Sequence, residues 1–155
     1  MKAIIEKFVG DKNVALIGIS LNKTKFGNMI LNELTKKGYN VFPVHPTITE
    51  LYGIKCYPDI KSLPDTVANL ILVVNPAVSE HIVRELKDTP IQRVWFHKGV
   101  GNGAGSDVAY GICRDYGIGV VYGFCPMMFY VSEGVHRFHF WLRKNFGKVP
   151  AEFTF

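Results

Sequence analysis

The sequence predicts an open, doubly wound α/β sheet, mostly parallel, with helices on both faces in a three-layer arrangement. Short apolar runs alternate along the chain with segments of helical periodicity, and the connections between them are short. Such alternation favours parallel strands joined by right-handed crossovers. The most continuous apolar run, residues 68–74, is typical of a central strand that is covered on both faces.

The individual elements follow from the same patterns. A leading helix over residues 2–9 is expected to cover a sheet edge, and Met29, Ile30, Leu31 and Leu34 are predicted to give the next helix its apolar stripe until Gly38 ends it. Residues 47–55 are predicted to be a polar loop that turns at Gly53. Residues 56–60 can be at most a short edge strand, because Pro58 cannot donate to a central ladder. The remaining predicted strands are residues 14–17, 39–44, 93–96 and 119–122, and the remaining predicted helices are residues 79–86, 106–116 and 132–145.

Composition limits the class of protein. The 155 residues are 48% apolar and 20% charged, which is typical of a globular chain long enough to bury a core. Because no linker, repeat or low-complexity segment interrupts the pattern, residues 1–155 are predicted to form a single domain. Glu6 and Lys7 interrupt the apolar run that a signal peptide would need, no run reaches membrane-spanning length, and three cysteines are an odd number. A cytoplasmic protein with free thiols is therefore expected.

The turn after the first strand is the main candidate for a binding site. Gly18, Ile19 and Ser20 end the strand, and a polar segment leads to Gly27 and the next helix. Free backbone N–H groups and the helix dipole at such a helix start favour an anion, and Lys23 and Lys25 lie in the same turn. The net charge of +5 suits an anionic ligand, although it suits nucleic acid equally well. The pattern predicts a phosphate site.

Three other strand ends are expected at the same edge, since ligands of open α/β sheets bind outside the carboxyl ends of the strands. These ends supply further candidate binding residues, namely Val44, His45 and Pro46, then Val74, Asn75 and Pro76, and finally His97, Lys98 and Gly99. The glycine-rich residues 99–105 run into a helix, but they lack the lysine–serine pair of a P-loop. A flexible connector is therefore favoured there over a second phosphate site.

The turn is not the dinucleotide fingerprint. That motif needs G-x-G-x-x-G and an acidic residue about 20 positions later for the ribose hydroxyls. Here Ser20 replaces the second glycine, and the second strand ends in His45. The absence of the acidic residue disfavours NAD, whereas the lysines leave NADP open. The implied ligand is an anionic nucleotide whose ribose can itself carry phosphate.

Several short segments follow one another in an order that is similar to the sequence pattern of a known family. They are Gly18-x-Ser20 with Gly27, Pro43-Val44-x-Pro46, the YGIKCYP run at residues 52–58, Ser62-Leu63-Pro64, Asn75-Pro76, Val94-Trp95-Phe96 and Cys125-Pro126. Together, over about residues 10–130, they resemble the family of small CoA-binding domains. The fold of that family also occurs as the CoA-binding domain of the succinyl-CoA synthetase alpha subunit.

The resemblance implies a Rossmann-like domain that holds coenzyme A or an acyl-CoA as a nucleotide, with the pantetheine arm running away from the sheet. It implies that the turn at residues 18–20 and the helix at Gly27 hold the pyrophosphate, and that residues near His45 and Asn75 flank the adenosine. His45 stands where the family more often has Asn. The sequence lacks the second domain and phosphohistidine segment that give those ligases their activity. It also offers no convincing nucleophile–base pair, no paired carboxylates at a telling spacing and no metal cluster, so we expect binding without catalysis.

Other roles stay open. An NADP-binding module or oxidoreductase could use the same fold, and the aromatic and basic helix at residues 132–146 could contact a protein partner or a second copy in a homodimer. Cys125 could form a mixed disulfide with CoA, although a free cysteine is most often a buried apolar residue. His136 and His139 lack obvious third and fourth ligands, so we predict no metal. No nucleic acid is expected either, because ordered RNA-binding motifs are missing.

Overall fold

The computed structural model describes residues 1–99 and 101–130. The helices are α1 (Lys2–Gly10), α2 (Phe26–Lys36), α3 (Pro76–Arg84), α4 (Asp107–Asp115) and α5 (Met127–Tyr130). The strands are β1 (Asn13–Ile17), β2 (Asn40–Val44), β3 (Glu50–Leu51), β4 (Ile54–Lys55), β5 (Asn69–Leu72), β6 (Arg93–Phe96) and β7 (Gly119–Val121). None of these described helices is long and apolar enough to cross a bilayer.

Five strands form one sheet in the order β2-β1-β5-β6-β7, and every neighbouring pair is parallel. β2 lies on one side of β1 and β5 lies on the other, so the direction in which strands are added to the sheet reverses after β2. A topological switch point therefore lies between the carboxyl ends of β1 and β5, where ligands of such sheets bind. The predicted doubly wound, parallel α/β fold is confirmed.

Alternate residues of each strand serve two separate cores. Leu16 of β1 and Trp95 of β6 belong to the core under α1, α2 and α5, where the ring of Phe8 meets Trp95 edge-on with centroids 5.3 Å apart. Ala15 and Phe96, their neighbours along the same strands, belong to the core under α3 and α4. This alternation is the period of two that a sheet covered on both faces requires.

The apolar stripe of α2 differs from the prediction by one position. Met29 is 47% exposed, whereas Asn28 is only 1% exposed and lies on the buried face with Ile30, Leu31 and Leu34. Hydrophobicity alone assigned Met29 to the core. The helix instead rotates so that the Asn28 amide points at the preceding turn, where it has hydrogen-bond partners.

Residues 47–55 are not a simple polar loop, and that prediction was wrong, although the predicted turn at Gly53 is confirmed. β3 and β4 pair as a hairpin in which Leu51 faces Ile54, with Tyr52 and Gly53 as the two turn residues. Both have positive φ, 55° and 76°, as a tight hairpin turn requires. Tyr57 makes only an isolated parallel bridge to Val44, in agreement with the expectation of at most a short edge strand.

The two ends of the described chain cover the sheet. α1 covers the edge strand β7, as predicted, and Ile4 packs so closely that a Cβ on Gly119 would lie 3.3 Å from its Cγ2 atom. The helix α5 was not predicted, and its Tyr130 is buried against Tyr39 with ring centroids 5.0 Å apart. The predicted helix at residues 132–146, with His136 and His139, lies outside the described residues.

Candidate functional site

The turn between β1 and α2 is held by close backbone contact. Gly18 has φ of 120°, and a Cβ on it would overlap the carbonyl oxygen of Val73 at the end of β5. A Cβ on Gly27 would in turn overlap the carbonyl oxygen of Gly18. The start of α2 therefore lies directly on the switch point, and both positions require glycine.

Asn28 fixes the shape of this turn. Its Oδ1 accepts from the Ser20 amide at 3.0 Å, and its Nδ2 donates to the carbonyl oxygens of Ser20 at 2.7 Å and Asn22 at 3.1 Å. The Ser20 N–H is thus already used. Ser20 can still offer its hydroxyl hydrogen, because Oγ only accepts from the Asn22 amide. The side chain of Ile19 is 4% exposed and belongs to the core.

The start of α2 differs from the starts of α3 and α4. Asn75 caps α3 by accepting from the Val78 amide, and Ser106 caps α4 by accepting from the Ala109 amide. At Lys25, the N-cap of α2, no side chain of the described residues makes such a bond. Lys23 and Lys25 are exposed there, and residues 12–32 contain no Asp or Glu. The first amides of α2 and two cations are left for an anion.

Tyr52 forms a wall beside this turn. The β3–β4 hairpin brings its hydroxyl to 3.4 Å from Asn28 Nδ2, and its side chain is 44% exposed. A φ of 55° is an uncommon backbone conformation for an aromatic residue. The hairpin tip therefore borders the same space as the uncapped helix.

At the end of β2, His45 organises the backbone. Its Nδ1 accepts from the amides of Thr47 at 3.2 Å and Ile48 at 3.1 Å, which assigns the ring hydrogen to Nε2. The ring does what the side-chain oxygen of Asn does in an Asx turn. Val44 is 6% exposed and packs in the core, whereas Pro46 is exposed. Val44 can offer a ligand only its backbone.

At the end of β5, the chain enters the start of α3. Asn75 is exposed and uses its Oδ1 as the cap of α3, with Pro76 at the first helical position. Pro is common at that position because its missing N–H would be unsatisfied there anyway. Val74 is half-buried and packs against the core under α3 and α4. The side-chain amide nitrogen of Asn75 is the group that this strand end can offer a ligand.

At the end of β6, His97 packs against the first residue of α2. The rings of His97 and Phe26 have centroids 4.6 Å apart and an interplanar angle of 34°. Burial lowers the pKa of the His97 imidazole to about 4, and its buried Nε2 has no hydrogen-bond partner among the described residues. Lys98 is half-buried, and its amide donates to the Phe124 carbonyl oxygen. A neutral imidazole whose buried Nε2 has no partner among the described residues thus lies beside the uncapped helix.

All three thiols are buried. Cys56 is 5%, Cys113 0% and Cys125 8% exposed, and none of them forms a disulfide. Burial raises the pKa of the Cys113 thiol to about 12 and also raises the pKa of Cys56. A thiol kept protonated and covered is a poor nucleophile.

The parallel sheet places the four predicted strand ends along one edge, in the spatial order His45, Gly18, Asn75 and Lys98. Sequence reasoning missed Asn28 and Tyr52 as parts of this edge. A polar amide on an otherwise apolar helix stripe was the signal for Asn28. The contact of Tyr52 with the turn depends on a hairpin fold that the polar composition of residues 47–55 concealed.

Comparison with known proteins gives one family for most of the chain. The family described as CoA binding domain matches residues 12–130. An ADP-forming acetate–CoA ligase I of Archaeoglobus fulgidus is 36% identical over 73 residues, which are 47% of this chain and 10% of the ligase. The chain thus spans about a tenth of the curated ligases it matches.

Solved structures of similar size share the fold. A hypothetical protein of Pyrococcus horikoshii OT3 has a TM-score of 0.73 at 26% identity, covering 82% of this chain and 87% of that chain. A conserved hypothetical protein of Pyrococcus furiosus has a TM-score of 0.68 at 34% identity, covering 75% of this chain and 97% of that chain. These small proteins therefore contain the same kind of α/β unit as this chain.

Proposed function

The chain belongs to the CoA binding domain family, and from this we propose that it binds coenzyme A or an acyl-CoA without catalysing a reaction on it. The observation that carries the proposal is the uncapped start of α2, in contact with the Gly18 turn and flanked by Lys23 and Lys25. The helix dipole and unsatisfied N–H groups favour negative charge at that point.

We place the pyrophosphate at this helix start. Phe26 and Gly27 are the first two residues of α2, so their amides have no carbonyl partner within the helix and are available as donors. The Ser20 hydroxyl and the ammonium groups of Lys23 and Lys25 add hydrogen-bond donors and positive charge. These groups provide both geometry and charge for two linked phosphates.

The adenosine then lies between the ends of β2 and β5. The Nε2–H of His45 and the Nδ2 of Asn75 are polar groups suited to the base or ribose, and Pro46 and Pro76 supply apolar surface. Tyr52, at the hairpin tip beside Asn28, borders the same space. Backbone groups at Ile19, Val44 and Val74 complete the edge, since those side chains pack into the cores.

The burial of the three cysteine thiols supports binding of CoA without catalysis. The buried cysteines, including Cys125, are not placed to attack a thioester or to form a mixed disulfide with CoA. The ligase activity of the Archaeoglobus relative belongs to a protein of which this chain matches 10%. The proposed role of this chain is therefore to bind the nucleotide.

A thermal-shift panel with CoA, dephospho-CoA, NAD and NADP tests the proposal. A ligand at ~100 times its Kd stabilises the native state by about 2.7 kcal/mol, which corresponds to a Tm increase of roughly 5–11 °C for a domain of this size. We expect that increase with CoA and a smaller one with dephospho-CoA, which lacks the 3′-phosphate. An increase with NADP alone would replace the proposal with the redox alternative.

A further inference from the structure

A cavity lies next to the proposed pyrophosphate site, at the carboxyl ends of β6 and β7. It has a volume of ≈ 440 Å³, and its walls include His97, Lys98, Ser106, Tyr110 and Tyr122. Since His97 also packs on Phe26 at the start of α2, one ring separates the cavity from the helix start. The two spaces therefore adjoin along a single edge of the sheet.

The distance from the proposed pyrophosphate site to this cavity matches the length of the pantetheine arm of CoA. Neighbouring strands are about 4.8 Å apart, so the ends of β1 and β7, three spacings apart in this sheet, lie roughly 14 Å from each other. The pantetheine arm has about twelve bonds from the phosphate ester oxygen to sulfur. An extended chain of that many bonds, equal to about four residues of polypeptide, spans roughly 14 Å.

The charges around the cavity favour an uncharged group over another phosphate. Ser106 caps α4 and donates its hydroxyl hydrogen to Glu80 Oε1 at 2.6 Å, and Asp107 follows in the cavity wall. A second phosphate beside these two carboxylates would be repelled, although Lys98 offsets part of their charge. Amides, a thioester and an acyl chain have no such conflict.

The far wall is aromatic. The rings of Tyr110 and Tyr122 stack with centroids 4.7 Å apart, and Tyr122 is 44% exposed. Phe96 meets Tyr110 edge-on at 5.1 Å, which anchors the pair on the sheet. Exposed aromatic surface at the end of a polar cavity is suited to an apolar group. The buried Nε2 of His97, which has no hydrogen-bond partner in the described part of the chain, is a polar group in the wall nearest α2.

We propose that this cavity binds the pantetheine and acyl end of an acyl-CoA, with an apolar acyl group packed on the ring of Tyr122. The inference rests on the proposed function and adds to it a direction for the arm, along the sheet edge and not away from it. It also names the class of ligand, an acyl-CoA with an aliphatic or aromatic acyl group in preference to free CoA.

Isothermal titration with three probes tests the inference: adenosine 3′-phosphate 5′-diphosphate, which lacks the arm, free CoA and hexanoyl-CoA. We expect hexanoyl-CoA to bind roughly fifteenfold more tightly than CoA, because about two methylenes leave water. Tyr122→Ala should reduce that ratio to about twofold and leave the affinity for the armless fragment unchanged. Tyr116→Ala, which removes an exposed tyrosine at the end of α4, is the matched control and should leave all three affinities unchanged.

The outcomes separate the two proposals. If the armless fragment binds as tightly as CoA and hexanoyl-CoA, the arm does not use the cavity, and the inference is overturned while the proposed function stands. The same holds if Tyr122→Ala and Tyr116→Ala leave the hexanoyl preference equally intact. If none of the three probes binds, the proposed function fails and the inference fails with it.

Discussion

The carbonyl oxygen of Gly18 occupies the place that a side chain on Gly27 would need. Gly27→Ala should therefore push α2 away from the end of β1. Overpacking costs about 1–3 kcal/mol, and the clash here is with backbone, which no rotamer change relieves. We expect a loss of about 2 kcal/mol in the free energy of unfolding, measured by urea denaturation, together with weakened CoA binding.

Gly111→Ala is the control for this change. Gly111 lies within α4, and a Cβ added there would meet nothing within 4 Å, so the substitution should stabilise the protein by about 0.5–1 kcal/mol through helix propensity. The two substitutions need not change the free energy of unfolding by equal amounts. A Gly27→Ala variant more stable than the wild type would contradict the close contact at the switch point.

Asn28→Ala should be among the more destabilising single changes near the site. It leaves the Ser20 amide and two carbonyl oxygens without their bonds, at a cost of about 3 kcal/mol. Asn40→Ala removes an exposed amide bonded to Asn13 and should change stability by about 0.5 kcal/mol or less. Chemical denaturation of both variants makes the comparison, and similar losses would argue against a special role for Asn28.

Stability should depend on pH through His97. Because burial lowers the pKa of its imidazole to about 4, below the ordinary value of 6.5, the unfolded chain binds more protons between those two values. The free energy of unfolding should therefore rise as the pH increases from 4 to 6.5 and be lost as the pH falls through the same range. Denaturation curves at several pH values should show a flatter dependence for His97→Gln.

His81→Gln serves as the control for this pH dependence. The His81 side chain is 78% exposed on α3, where it pairs with the exposed Glu85. Its removal should leave the slope between pH 4 and 6.5 close to that of the wild type. If both variants retain the full slope, groups other than His97 control the acid sensitivity.

The proposed phosphate contacts predict a graded loss of affinity. Lys23→Ala and Lys25→Ala should each weaken CoA binding roughly two- to fivefold, and the effect should shrink at high salt because exposed charges are screened. Lys36→Ala changes a lysine in the last turn of α2, about 15 Å along the helix from its start, and should have little effect. Titration calorimetry at two salt concentrations compares the three variants.

Thiol chemistry gives an independent check. With all three cysteines buried, an aromatic disulfide reagent should react slowly with the native protein and at once with all three thiols in denaturant. Cys125→Ser should leave reversible CoA binding intact. Fast native labelling that Cys125→Ser abolishes, together with loss of CoA binding, would instead support a thiol-linked role.

The fold was predictable because its signals are local and strong. Continuous apolar runs such as residues 70–74 identify buried parallel strands, and glycines after β1 mark the turn at the carboxyl edge of the sheet. The positions of the strand ends then follow from parallel topology. His45, Asn75 and Lys98 were assigned to one edge on that basis, and the strand order places them there.

The structural features that the sequence did not predict depend on contacts between residues that are distant along the chain. The rotation of α2 that buries Asn28 in place of Met29 is decided by the hydrogen bonds to Ser20, which hydrophobicity does not report. The pairing of Leu51 with Ile54, which brings Tyr52 to the turn, is hidden in a polar stretch. The ring contact between Phe26 and His97 joins residues 71 positions apart.

The saturated hydrogen bonds of Asn28 have a kinetic consequence. Since its amide already holds Ser20 and Asn22, the turn has the shape of the proposed pyrophosphate site before any nucleotide arrives. Association then needs no slow rearrangement of the turn, and little ordering entropy is lost there on binding. Differences in affinity among related nucleotides should consequently arise in their dissociation rates, with association rates that are nearly constant.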